Sequence, residues 1–260
     1  TEYQNNQAVV DFFNTLIEEF VASSKGYDFT PNGLIQLMIQ SLKPMKGSIY
    51  DGTAGIGNIM VSAYKYAKEQ GKDITVYGQE MNEELYVIAK LNLFINNILP
   101  ENGDIQLGDT IRDPKWLEND RIMQFDYIMM NFPFGLRDWG YEFAANDPYH
   151  RFELYGLPSK AQGDYAFILH ALASLKNEGK AALIVPFGTL VRGATERKIR
   201  SIMLKDDVIE SIISLPTNLF SGTGIQVALL ILNKNKPSHK KGRVQFINAE
   251  GDYERTRTQK

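Results

Sequence analysis

Ser48-Ile49-Tyr50-Asp51-Gly52-Thr53-Ala54-Gly55-Ile56-Gly57 is an apolar run that ends on a carboxylate, turns on glycines and passes into a helical pattern over residues 58–70. Gly55 and Gly57 let the backbone approach a ligand closely and turn into a helix whose N-terminus is partly positive. A Gly-X-Gly turn alone is a weak signal, since many bind nothing. Its weight comes from three further strand ends. Ile74-Thr75-Val76-Tyr77-Gly78 reads as a second strand closed by Gln79-Glu80, and Ile105-Gln106-Leu107 as a third closed by Gly108-Asp109. Residues 125–130 read as a fourth, closed by Asn131. Asp51, Glu80, Asp109 and Asn131 thus fall where open α/β sheets bind ligands, at the carboxyl ends of strands near the switch in strand order.

Outward from these strands, residues 82–97 have apolar positions at helical spacing with Asn82 as the cap. The pattern continues with a helix over 164–176, a fifth strand over 181–185 and a helix over 194–204. Two strands, 208–215 and 226–232, follow, joined by the turn Ser221-Gly222-Thr223-Gly224. Strands alternating with helices predict an α/β fold, a mostly parallel, seven-stranded, Rossmann-like sheet with helices on both faces. The last two strands, joined by a turn, predict an antiparallel hairpin at one edge. Ahead of this core, residues 7–23 carry a helical apolar pattern, and Tyr27-Asp28-Phe29-Thr30-Pro31 leads into a helix over 32–42 with Pro in its first turn. The expected division is a helical lead-in over residues 1–46, closing a cofactor pocket, and a catalytic domain over 47–260. Residues 136–162 lack periodicity but hold Trp139, Tyr141, Phe143, Tyr149, Phe152 and Tyr155. Irregular loops longer than about 15 residues are usually functional or disordered. The aromatics argue against disorder and suit a segment that closes over a base or contacts DNA.

The 260 residues, 43% apolar and 23% charged, have the composition of a globular protein with a full core. No apolar run reaches the roughly 18 residues of a membrane span, and the polar residues 1–7 do not resemble a signal peptide. A cytoplasmic location away from membranes is expected. The absence of cysteine excludes disulfides, Cys-based zinc sites and cysteine nucleophiles. It also excludes methylation at a cytosine ring carbon, which needs a transient thiolate adduct. His150, His170 and His239 have no metal-ligand spacing, so no metal site is expected. A net charge of -3 is unlike a protein that grips duplex DNA unaided, because phosphate neutralisation supplies much of that affinity. The late basic residues Lys234, Lys236, Lys240, Lys241 and Arg243 read as a solvated turn between strands. If nucleic acid is the substrate, something else supplies most of the binding.

The chemistry follows from the strand ends. No Lys-Ser/Thr follows the glycines, against a nucleoside triphosphate, and no second Rossmann half supports a nicotinamide cofactor. S-adenosylmethionine fits, as a nucleoside without phosphate that carries an amino-acid head and a sulfonium charge. Asp51 could hold its amino group, directly or through water, Glu80 the ribose hydroxyls and Asp109 the adenine amine. Taken singly, Glu80 and Asp109 read equally well as solvated carboxylates; the set points to function. Asn131-Phe132-Pro133-Phe134 then reads as the acceptor site. An exocyclic amine on a heteroaromatic ring is a poor nucleophile because its lone pair is delocalised. The Asn131 side-chain oxygen and the Phe132 carbonyl, accepting its hydrogens, would turn the nitrogen toward tetrahedral geometry and free the lone pair for in-line attack. The gain is orientation and preorganised dipoles. Phe134 offers a ring face for the base, which in a duplex must be flipped out at a cost of roughly a few kcal/mol.

In order along the chain, Phe29-Thr30-Pro31, residues 51–57, Gly78-Gln79-Glu80-Met81-Asn82, Leu107-Gly108-Asp109-Thr110 and Asn131-Phe132-Pro133-Phe134-Gly135 resemble blocks that many amino-methyltransferases share. Later blocks are more specific: Tyr155-Gly156-Leu157-Pro158, Gly163-Asp164-Tyr165-Ala166-Phe167, Pro186-Phe187-Gly188, Val191-Arg192-Gly193 and Leu219-Phe220-Ser221-Gly222-Thr223-Gly224-Ile225. Together they resemble the modification (methyltransferase) subunit of type I restriction-modification systems, from about Asp11 to about Ala249. The resemblance implies a class I S-adenosylmethionine-dependent fold and methylation of adenine N6 in DNA. It implies that Phe29, Thr30 and Pro31 wall the cofactor pocket and that Met81 packs on the cofactor's adenine, with Thr53 and Thr110 completing the cofactor set. It implies a separate specificity subunit that reads DNA, and a restriction subunit that joins the complex. The family has Pro where Gly52 and Phe132 stand. Gly52 should loosen its turn, and Phe132 supplies a carbonyl but fixes its direction less firmly than a Pro-Pro pair. The family's helical regions at both ends are missing, so a fragment or trimmed core is expected. Two alternatives stay open: methylation of protein glutamine or RNA by the same tetrapeptide, and a non-catalytic assembly module, for which Gly52 and Phe132 are the grounds.

Overall fold

Apolar strand runs without alternation need cover on both faces, and the chain supplies it. The architecture comes from a computed structural model that describes Val10, Phe12, Phe13, residues 15–17, Glu19, Phe20, residues 29–220 and residues 224–253. Most of the 7–23 pattern, Tyr27, Asp28 and residues 221–223 of the turn lie outside the described residues. The elements run α1 (Asn32–Leu42), β1 (Gly47–Asp51), α2 (Asn58–Glu69), β2 (Ile74–Glu80), α3 (Glu83–Ile95) and β3 (Gly103–Leu107). A small hairpin, β4 (Leu117–Glu118) with β5 (Arg121–Ile122), precedes β6 (Phe125–Asn131) and the short α4 (Tyr141–Ala144). Then come α5 (Asp164–Ala173), β7 (Leu175–Pro186), α6 (Phe187–Val191), α7 (Ala194–Lys205), β8 (Ile209–Ser214), β9 (Val227–Asn233) and β10 (Gln245–Asn248).

Among the described residues the main sheet has eight strands in the order β10-β8-β9-β7-β6-β1-β2-β3. Only β9 runs antiparallel to its neighbours, β7 and β8. The Rossmann-like fold is therefore as the sequence predicts, with three corrections. The strand count is eight, because β10 adds to β8; its four residues are exposed, so no buried stripe marked it. The hairpin of β8 and β9 lies toward one end of the sheet but is not outermost, since β10 pairs beyond β8. The helix predicted over 164–176 stops at Ala173, and the fifth strand starts at Leu175, where buried Leu175 pairs with Phe125. The exposed Lys176-Asn177-Glu178 stretch had hidden that start.

Side chains alternate between two cores. Ile49, Met129, Ala182, Ile184, Leu229 and Ile231 face one, under α1, α2 and α3. Tyr50, Ile128, Met130, Leu183, Leu230 and Leu232 face the other, under α5 and α7. Asn82 caps α3 as expected, its Oδ1 accepting from the Leu85 amide at 3.0 Å. Trp139, Phe152 and Tyr155 of the aromatic segment are core residues; these rings anchor the segment and are not free to meet a base. The late lysines are also less solvated than expected. Lys236 is buried, with Nζ 2.5 Å from Asp207 and 2.8 Å from the Arg243 carbonyl.

A buried polar cluster locks the segments around the sheet's carboxyl edge. Arg151 donates to both carboxylate oxygens of Asp147 (2.9 Å each), to the carbonyls of Thr110 (2.9 Å) and Ile111 (2.6 Å), and to His170 Nδ1 (3.1 Å). Since Nδ1 accepts, Nε2 carries the proton and donates to Tyr50 Oη at 3.1 Å. Burial, reinforced by the Arg151 charge, holds the His170 pKa well below its usual value, so the ring stays neutral. Arg151→Ala, which leaves the Asp147 carboxylate buried without its cation, should lower stability by about 3–5 kcal/mol. Urea unfolding checks this against Lys68→Ala at the exposed Lys68–Asp73 pair, which should leave the midpoint unchanged.

Candidate cofactor and amine-binding site

Strands β1 and β6 lie side by side, with Ile49 opposite Tyr127 and Tyr50 opposite Ile128. From this pair the sheet is filled in opposite directions, by β2 and β3 on one side and β7 on the other. Asp51 and Asn131 close the two central strands and Glu80 closes the next. The structure thus brings together three of the four strand-end residues at the switch point, and Asp109 follows β3 beside them.

The turn after β1 is built around Glu80. Its Oε2 accepts from the Gly55 amide at 2.8 Å and its Oε1 from the Asn82 amide at 2.9 Å. Burial raises its pKa, opposed by the backbone amides of Asn82, Gly55 and Met81. Gly57 caps α2 at φ 80°, in the left-handed region, and a Cβ there would crowd Leu93. Gly55 (φ 55°) instead faces open space where a Cβ would lie, which leaves room for a ligand beside the backbone. Asp51 is fully buried. Its Oδ1 accepts from the Thr53 amide at 3.0 Å and from Thr53 Oγ1 at 3.5 Å. Its Oδ2 has no partner among the described residues. Burial, opposed by the Thr53 amide and then reinforced by the Glu80 charge, pushes the carboxyl up to about 7.

Gly52 does not loosen the turn as expected. A Cβ there would stand 2.8 Å from Tyr50 Oη and 3.1 Å from Thr110 Cγ2, and Thr110 Oγ1 donates to the Gly52 carbonyl. Asp109 caps its own turn: Oδ1 accepts from the Ile111 (2.8 Å) and Arg112 (3.0 Å) amides, and Oδ2 meets the Arg112 guanidinium at 2.8 Å. Phe29 packs with Ile56 and Leu85 beside the Gly-rich turn, and Met81 is 63% exposed. Pro31 caps α1, accepting from the Leu34 and Ile35 amides.

Asn131 Nδ2 donates to Thr30 Oγ1 at 2.9 Å, which orients the amide and leaves Oδ1 buried with no partner among the described residues. Phe132 is 2% exposed and stacks on Phe167 at 5.2 Å and 8°. Pro133 is exposed, and Phe134 is half-buried, edge-on to Phe132 and Phe220. Two orphaned acceptors at adjacent strand ends, Asp51 Oδ2 and Asn131 Oδ1, suit a ligand that brings N–H donors to both, because buried acceptors without donors cost free energy. The donor set also fits S-adenosylmethionine: carboxylates for a cationic head and ribose, and an open glycine beside them.

Sequence reasoning missed three supports. Gln79 holds the 108–115 loop, its Nε2 donating to the Asp113 carbonyl and its Oε1 accepting from the Lys115 amide, both at 2.9 Å. The Thr30–Asn131 bond spans 101 positions, beyond any local pattern. Asp164 sat in a block already singled out, and only the fold shows that it reaches Gly135.

Among the described residues no helix is long and apolar enough to cross a membrane. The sequence pattern of the family described as N-6 DNA Methylase matches residues 4–260. The chain is 32% identical over 257 residues to the type I restriction enzyme MjaVII methylase subunit of Methanocaldococcus jannaschii, covering 95% of this chain and 44% of that protein. It is 29% identical to the HindI methylase subunit of Haemophilus influenzae, covering 93% of this chain and 53% of that one. A crystal structure of a type I restriction-modification methyltransferase subunit from Streptococcus thermophilus superposes with TM-score 0.81 at 30% identity, covering 96% of this chain and 53% of the other. The chain thus spans about half the length of these relatives. A Listeria monocytogenes structure described as a putative class I S-adenosylmethionine-dependent methyltransferase, TM-score 0.73 at 20% identity, covering 95% of this chain and 75% of that one, shares the fold. As the resemblance read from its blocks implies, this chain belongs to the N-6 DNA methylase family.

Proposed function

We propose that this chain is the catalytic part of a DNA adenine N6-methyltransferase, the modification subunit of a type I restriction-modification system, with S-adenosylmethionine as methyl donor. The observation that carries this reading is Asn131 Oδ1, a buried acceptor with no donor among the described residues, held in direction by Thr30 at the switch point of the sheet. It would accept one hydrogen of the adenine amine, and the Phe132 carbonyl the other. Phe134 would stack on the flipped base. S-adenosylmethionine, held beside them by Asp51, Glu80 and the Gly55 turn, would supply an electrophilic methyl group, toward which Asn131 Oδ1 and the Phe132 carbonyl would orient the amine lone pair.

Asp51 Oδ2 would receive the cofactor's amino group. Glu80, fixed by two amides, retains lone pairs for the ribose hydroxyls, and Asp109 retains some for the adenine amine. Gly55 gives backbone access, Gly57 turns the chain closely into α2, and Thr53 and Thr110 shape the turn; Phe29, Thr30, Pro31 and Met81 would wall the pocket. Residues 1–46 would act as a lead-in that closes it over the catalytic domain, 47–260. The net charge of -3 supports a division of labour in which a specificity subunit grips and reads the DNA and a restriction subunit joins. A cytoplasmic location follows from that role.

Asn131→Ala should reduce methyl transfer by on the order of 100-fold or more. Modification-sensitive sequencing of genomic DNA from cells carrying the complete system reads this out: N6-methyladenine at a fixed sequence with the wild type, and none with the variant. No methyladenine in either would redirect the search to glutamine and RNA substrates. Glu80→Ala should weaken cofactor binding by about 1.5–3 kcal/mol, and unchanged affinity by calorimetry would remove Glu80 from the site. Cofactor affinity should also depend on pH through Asp51. With its pKa raised to about 7, the free site is mostly protonated below that pH, and a cationic head must displace the proton. Binding should therefore tighten roughly 5- to 10-fold from about pH 6 to about pH 7.5, with proton release seen by calorimetry at the lower pH; Asp51→Asn should flatten the profile.

A further inference from the structure

The segment that would hold the amine leaves β6 at Asn131 and has no regular structure of its own. Pro133 is exposed and Gly135 adopts φ 62°. What holds it is the start of α5. The Gly135 amide donates to Asp164 Oδ1 at 2.7 Å, and the Gly163 amide donates to the Leu136 carbonyl at 2.9 Å. The Phe132 ring lies flat on Phe167, one turn along the same helix. These three contacts bracket the Phe132 carbonyl, with the ring fixed on one side and the Gly135 amide on the other.

Asp164, the first residue of α5, is fully buried. Its Oδ2 accepts from Thr189 Oγ1 at 3.1 Å and meets the Arg192 guanidinium. Arg192 also pairs with Glu196 at 2.7 Å, while Arg200 donates to the Arg192 (2.6 Å) and Thr189 (3.0 Å) carbonyls. One carboxylate therefore joins the 131–135 segment to α6 and α7. Its charge is met by Arg192 and by the partly positive N-terminus of α5. None of the amine chemistry above uses it.

We propose that Asp164 is a positioning residue: by holding the Gly135 amide against α5, it directs the Phe132 carbonyl and Asn131 Oδ1 at one amine. The proposal rests on the functional reading above. In this chain the Phe132–Phe167 stack and the Asp164 clamp together supply the stiffness that a second proline would give.

The test uses the full-length protein assembled with its DNA-reading subunit and single-turnover methyl transfer to its cognate duplex, with cofactor affinity measured by calorimetry. Asp164→Ala should slow transfer by roughly 10- to 100-fold, the scale on which small misplacements act, with cofactor affinity unchanged. Asp164→Asn, whose amide oxygen still accepts from Gly135, should restore most of the rate. An unchanged rate in Asp164→Ala would overturn the proposal, as would a rate and a cofactor affinity that fall together, the mark of a purely structural role. If Asp164→Ala does not fold, Phe167→Leu carries the test: a slower transfer at unchanged cofactor affinity supports the clamp, and an unchanged rate overturns it. A wild type without methyl transfer would sink the functional reading and this proposal with it. An active wild type with an indifferent Asp164 would sink the proposal alone.

Discussion

The parallel pairing of β1 with β6 is the contact on which the rest depends. Strands buried on both faces must be joined by crossovers, and here the crossovers leave the central pair toward opposite ends of the sheet. In open α/β sheets, the carboxyl ends of two strands whose crossovers diverge in this way are where ligands find an opening. Every residue that ends a strand there is polar, whereas the strand interiors are apolar on both faces. The site is thus a consequence of topology first, and the side chains exploit an opening that the sheet's covering rules create.

That opening carries a free-energy cost. Asp51 Oδ2 and Asn131 Oδ1 are buried acceptors without donors among the described residues, and an unmet buried acceptor costs about 1–3 kcal/mol in a folded protein. The surroundings offset this by rigidity rather than by satisfying the atoms. Thr53 fixes the other Asp51 oxygen, Thr30 fixes the Asn131 amide, and Arg151, Gln79 and Asp164 tie down the neighbouring loops. A molten or collapsible loop would have turned its polar atoms to solvent or to one another. Keeping them aimed and unpaired requires that the loops have few alternatives, which accounts for the density of buried polar links around this edge of the sheet.

What the sequence made legible follows the range of the interactions. Strand ends, the Asn82 cap and the Gly-rich turn are local, so they can be read from neighbours in the chain. The helix of α5 and the strand after it were misjudged because Lys176, Asn177 and Glu178 look like a turn, and the pairing of Leu175 with Phe125 is fifty positions away. β10 was missed because an exposed strand carries no buried stripe. The aromatics of 136–162 were visible but their burial was not: Trp139 and Phe152 belong to the core because α5 and β7 lie beside them. The carboxylates and amide of the site were named one by one. What holds them, from Thr30 to Arg151, was outside the reach of spacing arguments.

The two departures from the family pattern look different once their neighbours are known. Gly52 seemed to loosen the cofactor turn, but the space beside it is taken by Tyr50 Oη, and Thr110 grips its carbonyl. Tyr50 in turn stacks on Phe125 at 4.6 Å and bonds to His170, so glycine at 52 is the complement of a large ring at 50. Phe132 is likewise matched, by Phe167 stacked flat against it. A site drifting out of use would be expected to fill with side chains that pair its polar atoms, since such pairing stabilises the fold. Here large side chains pack closely around both positions, and among the described residues Asn131 Oδ1 and Asp51 Oδ2 have no partner. That combination supports the proposed methyl-transfer reading over the scaffold alternative.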